Sequence, residues 1–167
     1  MAFEAYGKIK GKTQGDLKSE TPRGPHEGKF AILRFEWGVS SPKDQKTGLS
    51  AGRRTHSPFV FCKELGAATP QLFQALCTNE EIEEAMFEFT RTTPEGAEEV
   101  YFTVKLTRAQ VASIRYSTGG EKLGGDASAR GGGQYDLMEQ EEVQLTYGKV
   151  EVTHVPGSTS SIDDWNA

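Results

Sequence analysis

The stretch FAILRFEWGVSSP, residues 30–42, sets apolar side chains at every second position: Leu33, Phe35, Trp37 and Val39. Arg34, Glu36 and Ser40 fill the gaps. Successive side chains of a strand point to opposite faces, so the segment predicts a strand with one face for a core and one polar face. Alternation alone leaves open whether the Arg34 and Glu36 face meets bulk water, a substrate or another protein.

Other segments alternate in the same way. AFEAYGKIKG (2–11) places Phe3, Ala5 and Ile9 on one side, and HSPFVFCKEL (56–65) contributes Phe59 and Phe61. EVYFTVKLT (99–107) sets Phe102, Val104 and Leu106 against Tyr101, Thr103 and Lys105, and VASIRY (111–116) continues it. In EEVQLTYGKVEVTHV (141–155) the apolar positions are odd at Val143, Leu145 and Tyr147 but even at Val150 and Val152. The phase flips at Gly148, where a bulge or sharp coil is tolerated. The chain therefore reads as mainly β, and strands that bend like this suit a barrel or closely packed sheets.

AATPQLFQALCTN (67–79) predicts a helix. Thr69 can cap it, Pro70 fits the first helical position, and Leu72, Phe73, Leu76 and Cys77 form an apolar stripe. TNEEIEEAMFEFTR (78–91) fits two patterns. Ile82, Ala85, Met86 and Phe89 suit a helix opened by a Thr78/Glu81 capping box, whereas Ala85, Phe87 and Phe89 alternate as in a strand.

At 167 residues the chain is long enough for one domain with a proper core. A net charge of -5 and the lack of any Lys or Arg run argue against a nucleic-acid groove. No apolar segment approaches the ~20 residues of a membrane-spanning helix, so no membrane insertion is expected. The opening MAFEAYGKIKGK lacks a basic leader followed by a long apolar run, so no cleavable secretory signal is expected. Cys62 and Cys77 are the only cysteines, and both are expected to act as small buried hydrophobes.

No catalytic set is legible in the sequence. Gly11-Lys12-Thr13 in GKIKGKT resembles the end of a phosphate-binding loop, but three residues rather than four separate the glycines. His26, His56 and His154 are scattered, and no paired metal-ligand spacing occurs. The carboxylates at 80–84 read as a solvated turn or helix start. No enzyme activity, catalytic residue, metal or cofactor is expected. Two long polar segments remain, 41–57 and the glycine-rich 117–139, and loops of such length are functional or disordered.

FEWGVSSP (35–42), AGRRTHSPFVFCKEL (51–65), ATPQLFQALCTNEEI (68–82), EVYFTVKLTRAQVASIRYSTGG (99–120) and EEVQLTYGKVEVTHV (141–155) share order, spacing and residue types with one family. The chain resembles the haemolysin-coregulated protein (Hcp) family, the inner-tube subunit of type VI secretion systems, over about residues 2–155. WGVSSP and TPQLFQALC are the specific blocks, and Trp165 fits the family's aromatic near the carboxyl terminus.

The resemblance implies a closed β-barrel of two packed sheets with one flanking α-helix, assembled as a hexameric ring. It makes 85–91 a strand, and it divides the chain into a tube domain, 1–155, and a short tail, 156–167. The partners it implies are further copies in stacked rings, spike, sheath and baseplate components, and effector proteins in the lumen. Assembly in the bacterial cytoplasm and secretion without a cleavable signal follow. In such a ring Arg34 and Glu36 would line the pore, and the 41–57 loop, with Lys43, Asp44, Lys46, Arg53 and Arg54, would reach the adjacent ring. The competing readings are a monomeric small-ligand barrel, a non-catalytic effector chaperone of the same family, and an effector enzyme. About a dozen residues follow the last alternating segment, short of a toxin domain.

Overall fold

The computed structural model describes residues 3–19, 26–118 and 139–164. The expectations for Trp165 and for residues 119–138 lie outside them. In chain order the elements are β1 (Phe3–Gly11), β2 (Gly15–Asp16), β3 (Phe30–Ile32), β4 (Arg34–Glu36), β5 (Val39–Ser40) and β6 (Thr55–His56). They continue with β7 (Phe59–Glu64), α1 (Thr69–Cys77), β8 (Glu81–Thr92), β9 (Glu98–Thr118), β10 (Glu139–Thr146), β11 (Lys149–His154) and β12 (Thr159–Asp164). The fold is mainly β with one helix, as expected. Among the described residues no helix is long and apolar enough to cross a membrane.

The architecture departs from two packed sheets. Ten strands form one antiparallel sheet in the order β2-β1-β8-β9-β10-β7-β4, with β11 on β9, β12 on β11 and β3 on β1. Its ladders make an open path, with β2 at one end and β4 at the other, while β5 and β6 pair separately. The segment 156–164, expected as part of a tail, turns back and adds β12 to β11. One core cluster draws on β1, β3, β7, β8, β9, β10, β11 and α1. Phe59, Phe61 and Phe87 fill its centre, with the Phe59 and Phe87 rings stacked at 4.3 Å.

The 30–40 segment corrects the expected alternation. Phe30 and Ile32 are the buried residues, Leu33 is half-buried, and Phe35 and Val39 are exposed. At Leu33 the chain changes partner, from β1 (Ala5↔Ile32) to β7 (Phe35↔Phe61). A one-residue slip in a strand moves every later side chain to the other face, and here it happens in mid-segment. Phe35 still packs at the core's margin, 4.7 Å from the Phe89 ring.

The expected phase flip at Gly148 is present. Val143, Leu145 and Tyr147 are buried before it and Val150 after it. The Gly148 N–H bonds the carbonyls of Thr107 and Arg108, and Arg108 has the left-handed φ of 54°. β9 turns sharply there, so one long strand serves two partners, β10 and β11.

The ambiguous 78–91 segment is a strand. Asn79, at φ 53°, ends the helix, and Ile82, Ala85, Phe87 and Phe89 of β8 are buried. No Thr78/Glu81 capping box forms, because Thr78 closes α1 with its N–H on Gln74 O. Ala68, not Thr69, is the N-cap, without a side-chain bond. The buried edge of α1 is Ala68, Leu72 and Ala75, with Leu72 fully buried in the core. Phe73 and Cys77, expected in the stripe, are exposed.

Candidate assembly surfaces

Arg34 and Glu36 stand on the outward face of β4. Cross-strand register continues the Arg34 row through Cys62 and Glu142 to Arg115, and the Glu36 row through Val60 and Gln144 to Ser113. The Arg34 guanidinium donates to Glu142 Oε2 at 2.8 Å and approaches Cys62 Sγ at 3.2 Å. The sulfur contact, with the nearby carboxylates, holds the arginine firmly charged. This face is a polar wall with its charges partly neutralised in place. The opposite face of the same strands carries Phe59, Phe61, Val143 and Leu145 into the core.

The 41–57 segment is a hairpin arm rather than an irregular loop. Its rungs run from Ser57 N–H on Gly38 O, through Val39↔His56 and Ser40↔Thr55, to Ala51 N–H on Pro42 O and Asp44 N–H on Leu49 O. The Asp44 carboxylate accepts the Lys46 and Thr47 N–H groups, and Gly48 takes the φ of 71° that the turn requires. Lys43, Lys46 and Arg53 are exposed, as is Leu49 at 69%.

Arg54 stands apart from the other cations of the arm. Its Nε–H and Nη2–H donate to the two oxygens of Asp163 on β12. His56 Nε2 lies 2.7 Å from Asp163 Oδ2. The Arg54 hydrogen bonds, joined by that of His56, hold the Asp163 carboxyl below the usual range. Behind them the Trp37 Nε1–H donates to Tyr147 OH, which donates to Ser57 O at 3.0 Å. Burial pushes the Tyr147 phenol up, so it remains a donor at physiological pH. A groove of about 530 Å³ opens beside this base, lined by residues 53–58 with Thr146 and Tyr147.

Two features overlooked in the sequence are buried carboxylates. Glu80 was expected in a solvated turn, yet it is buried and accepts Thr13 N–H at 2.7 Å and Gln14 N–H at 2.8 Å. Gln14 Nε2 binds its other oxygen at 2.7 Å. The turn that resembles a phosphate loop thus closes on an anion from its own chain. A Cβ on Gly11 would come within 2.6 Å of Glu80 Oε1, which accounts for the glycine. Burial alone would raise the Glu80 pKa, but the Gln14 side chain and the two backbone donors outweigh it and bring it below the ordinary 4.5.

A depressed carboxylate stabilises the fold fully above its unfolded pKa, and that contribution is lost as pH falls through the folded value. Glu80→Gln is therefore expected to cost about 1.5–3 kcal/mol at neutral pH. The gap to wild type should close once pH drops below the folded pKa. Unfolding midpoints from pH 7 to pH 3 check this, and a constant gap would refute it.

Lys63 and Glu141 form the other buried pair, at 2.5 Å, and Thr69 Oγ1–H donates to the same Glu141 oxygen at 3.0 Å. The three histidines lie apart: His26 on Glu98, His56 on Asp163, and His154 accepting the Gly157 N–H. Among the described residues no cluster of His, Cys, Asp or Glu could hold a metal. Cys62 is buried as expected, but Cys77 is not.

A family model described as "Type VI secretion system effector, Hcp" matches residues 6–154. The chain belongs to the Hcp family. A protein named "Major exported protein" from Pseudomonas aeruginosa is 29% identical over 176 residues, covering 100% of this chain and 98% of that one. A crystal structure of an Hcp protein superposes with a TM-score of 0.82 at 28% identity, covering 99% of each chain. The secreted protein Hcp3 from P. aeruginosa gives 0.77 at 26% identity, covering 99% of this chain and 100% of its own. The Hcp resemblance read from WGVSSP and TPQLFQALC is therefore correct.

Proposed function

We propose that this Hcp-family chain is a non-catalytic subunit of the type VI secretion tube. Six copies form a ring, and rings stack into a conduit that a contractile sheath expels. In this reading spike, sheath and baseplate components are its machine partners, and effectors travel in the lumen. The protein assembles in the cytoplasm and leaves the cell without a cleaved signal, as a tube domain, 1–155, with the segment 156–167 appended. The wall closes into a barrel through residues 30–36, a reading supported by β3 on β1 and β4 on β7.

The observation that carries the proposal is the arm. It is hydrogen-bonded along its length, yet residues 39–55 are all exposed. An isolated two-stranded hairpin is marginally stable, so a subunit alone gains little from it. A neighbouring ring gives it a role, and Lys43, Asp44, Lys46, Arg53 and Arg54 are its charged residues. The monomeric ligand-barrel reading is disfavoured because the interior is filled by Phe59, Phe61 and Phe87.

In the ring, Arg34 and Glu36 face the lumen. Reversing both, with Arg34→Glu and Glu36→Arg, is expected to leave rings intact and change which effectors co-purify. The electron-microscopic density of the ring checks the placement directly. Either side chain on the outer circumference would refute it.

A further inference from the structure

The arm has no core of its own, so its direction is set where it joins the body. Three groups meet there: Arg54 and His56 from the arm and Asp163 from β12, the last strand of the sheet. We propose that Asp163 is a positioning residue that fixes the pose of the arm, making the carboxyl-terminal hairpin β11–β12 part of the stacking apparatus.

Two-point binding of a guanidinium by a carboxylate fixes the relative angle of the two groups as well as their distance. Arg54 lies next to β6, so that angle is passed to the first rungs of the arm. His56, two residues on and so on the same face, adds a second contact to that carboxylate, and its ring also meets Tyr147 edge-on at 5.7 Å. Asp163 itself stands on a firm support. It pairs with Val150, a buried residue of β11, and its neighbour Asp164 accepts from Arg108 at 2.6 Å. Arg108 in turn occupies the sharp turn of β9. The chain of contacts runs from the bend of β9 through β12 to the arm.

The link from arm pose to ring stacking rests on the function proposed above, but the positioning role does not. Hydrogen exchange by mass spectrometry on the assembled protein separates them. In Asp163→Asn the arm amides of Asp44, Gly48 and Ala51 should exchange about tenfold faster, with core amides of β8 and β10 unchanged. Asp164→Asn removes the neighbouring carboxylate of the same strand, the one that accepts from Arg108, and it should leave the arm amides as in wild type. Unchanged arm exchange in Asp163→Asn would overturn the proposal. Equal loosening in Asp164→Asn, or of the core, would do the same, because Asp163 would then act only by holding β12. If the arm loosens selectively and tubes still form, Asp163 keeps its positioning role and the stacking reading falls.

Discussion

Lys63→Met is expected to destabilise the subunit by about 3–5 kcal/mol, because it leaves the Glu141 carboxylate buried without its counter-charge. The side chains are 3% and 0% exposed, so water cannot replace the lost ammonium. Thr69 supplies one remaining hydrogen bond, and among the described residues Glu141 Oε2 has no hydrogen-bond partner even in the intact pair. Lys63 also donates to Glu64 O at 3.0 Å and lies over the Phe30 ring, so its loss reaches β3 as well. The double change Lys63→Met with Glu141→Leu should recover most of the loss, since a packed apolar pair avoids desolvating two charges. Urea midpoints at one fixed protein concentration test this, because assembly shifts apparent stability by mass action. A double variant as weak as the single one would contradict it.

Arg53→Glu is expected to abolish tubes while leaving rings and the fold intact. Arg53 is exposed and lies outside the alternating core segments, so its replacement costs the subunit little. The chain carries a net charge of -5, so carboxylates outnumber cations on the copies that an arm cation would meet. Reversing that charge replaces attraction with like-charge repulsion, and the penalty repeats at every copy around the ring. A fall in tube formation of at least about tenfold follows, and secretion should fall with it. Arg54 is a poorer probe of stacking. Its reversal would set a glutamate against Asp163 and disturb the pose of the arm at the same time. Counting tubes by negative-stain microscopy is sufficient, and normal tubes in Arg53→Glu would refute the role.

The sequence was most legible where one local rule acts alone. Val143, Leu145 and Tyr147 are odd and Val150 and Val152 even around Gly148, and that change of phase is a local signal. The strand at 81–92 was readable only by resemblance, since Ile82, Ala85 and Phe89 satisfy both periods. What ended the helix was Asn79 in a left-handed conformation, which apolar spacing does not encode. Residues 30–36 misled for a different reason. Leu33 marks a change of partner strand, and periodicity carries no information about which strand lies alongside.

The candidate surfaces were legible by residue type but not by pairing. Arg53 and Arg54 look alike in sequence and both are exposed, and only the fold shows that Asp163 holds Arg54. Glu80 was read as solvated, and Lys63 and Glu141 went unnoticed, because single charges in polar or alternating segments give no sign of burial. Their partners lie far along the chain: Glu80 binds the 13–14 turn, and Glu141 binds Lys63 and Thr69. Long-range pairing of that kind leaves no mark on any one segment.

Ring assembly is tested most directly by the native mass of the purified protein. A heterologous contact between identical copies closes into a ring when its rotation permits, and an obligate one should bury upwards of ~2,000 Å². Sedimentation or native mass spectrometry at micromolar concentration should therefore give a species of six times the 18.3 kDa chain. A monomer under those conditions would contradict the account.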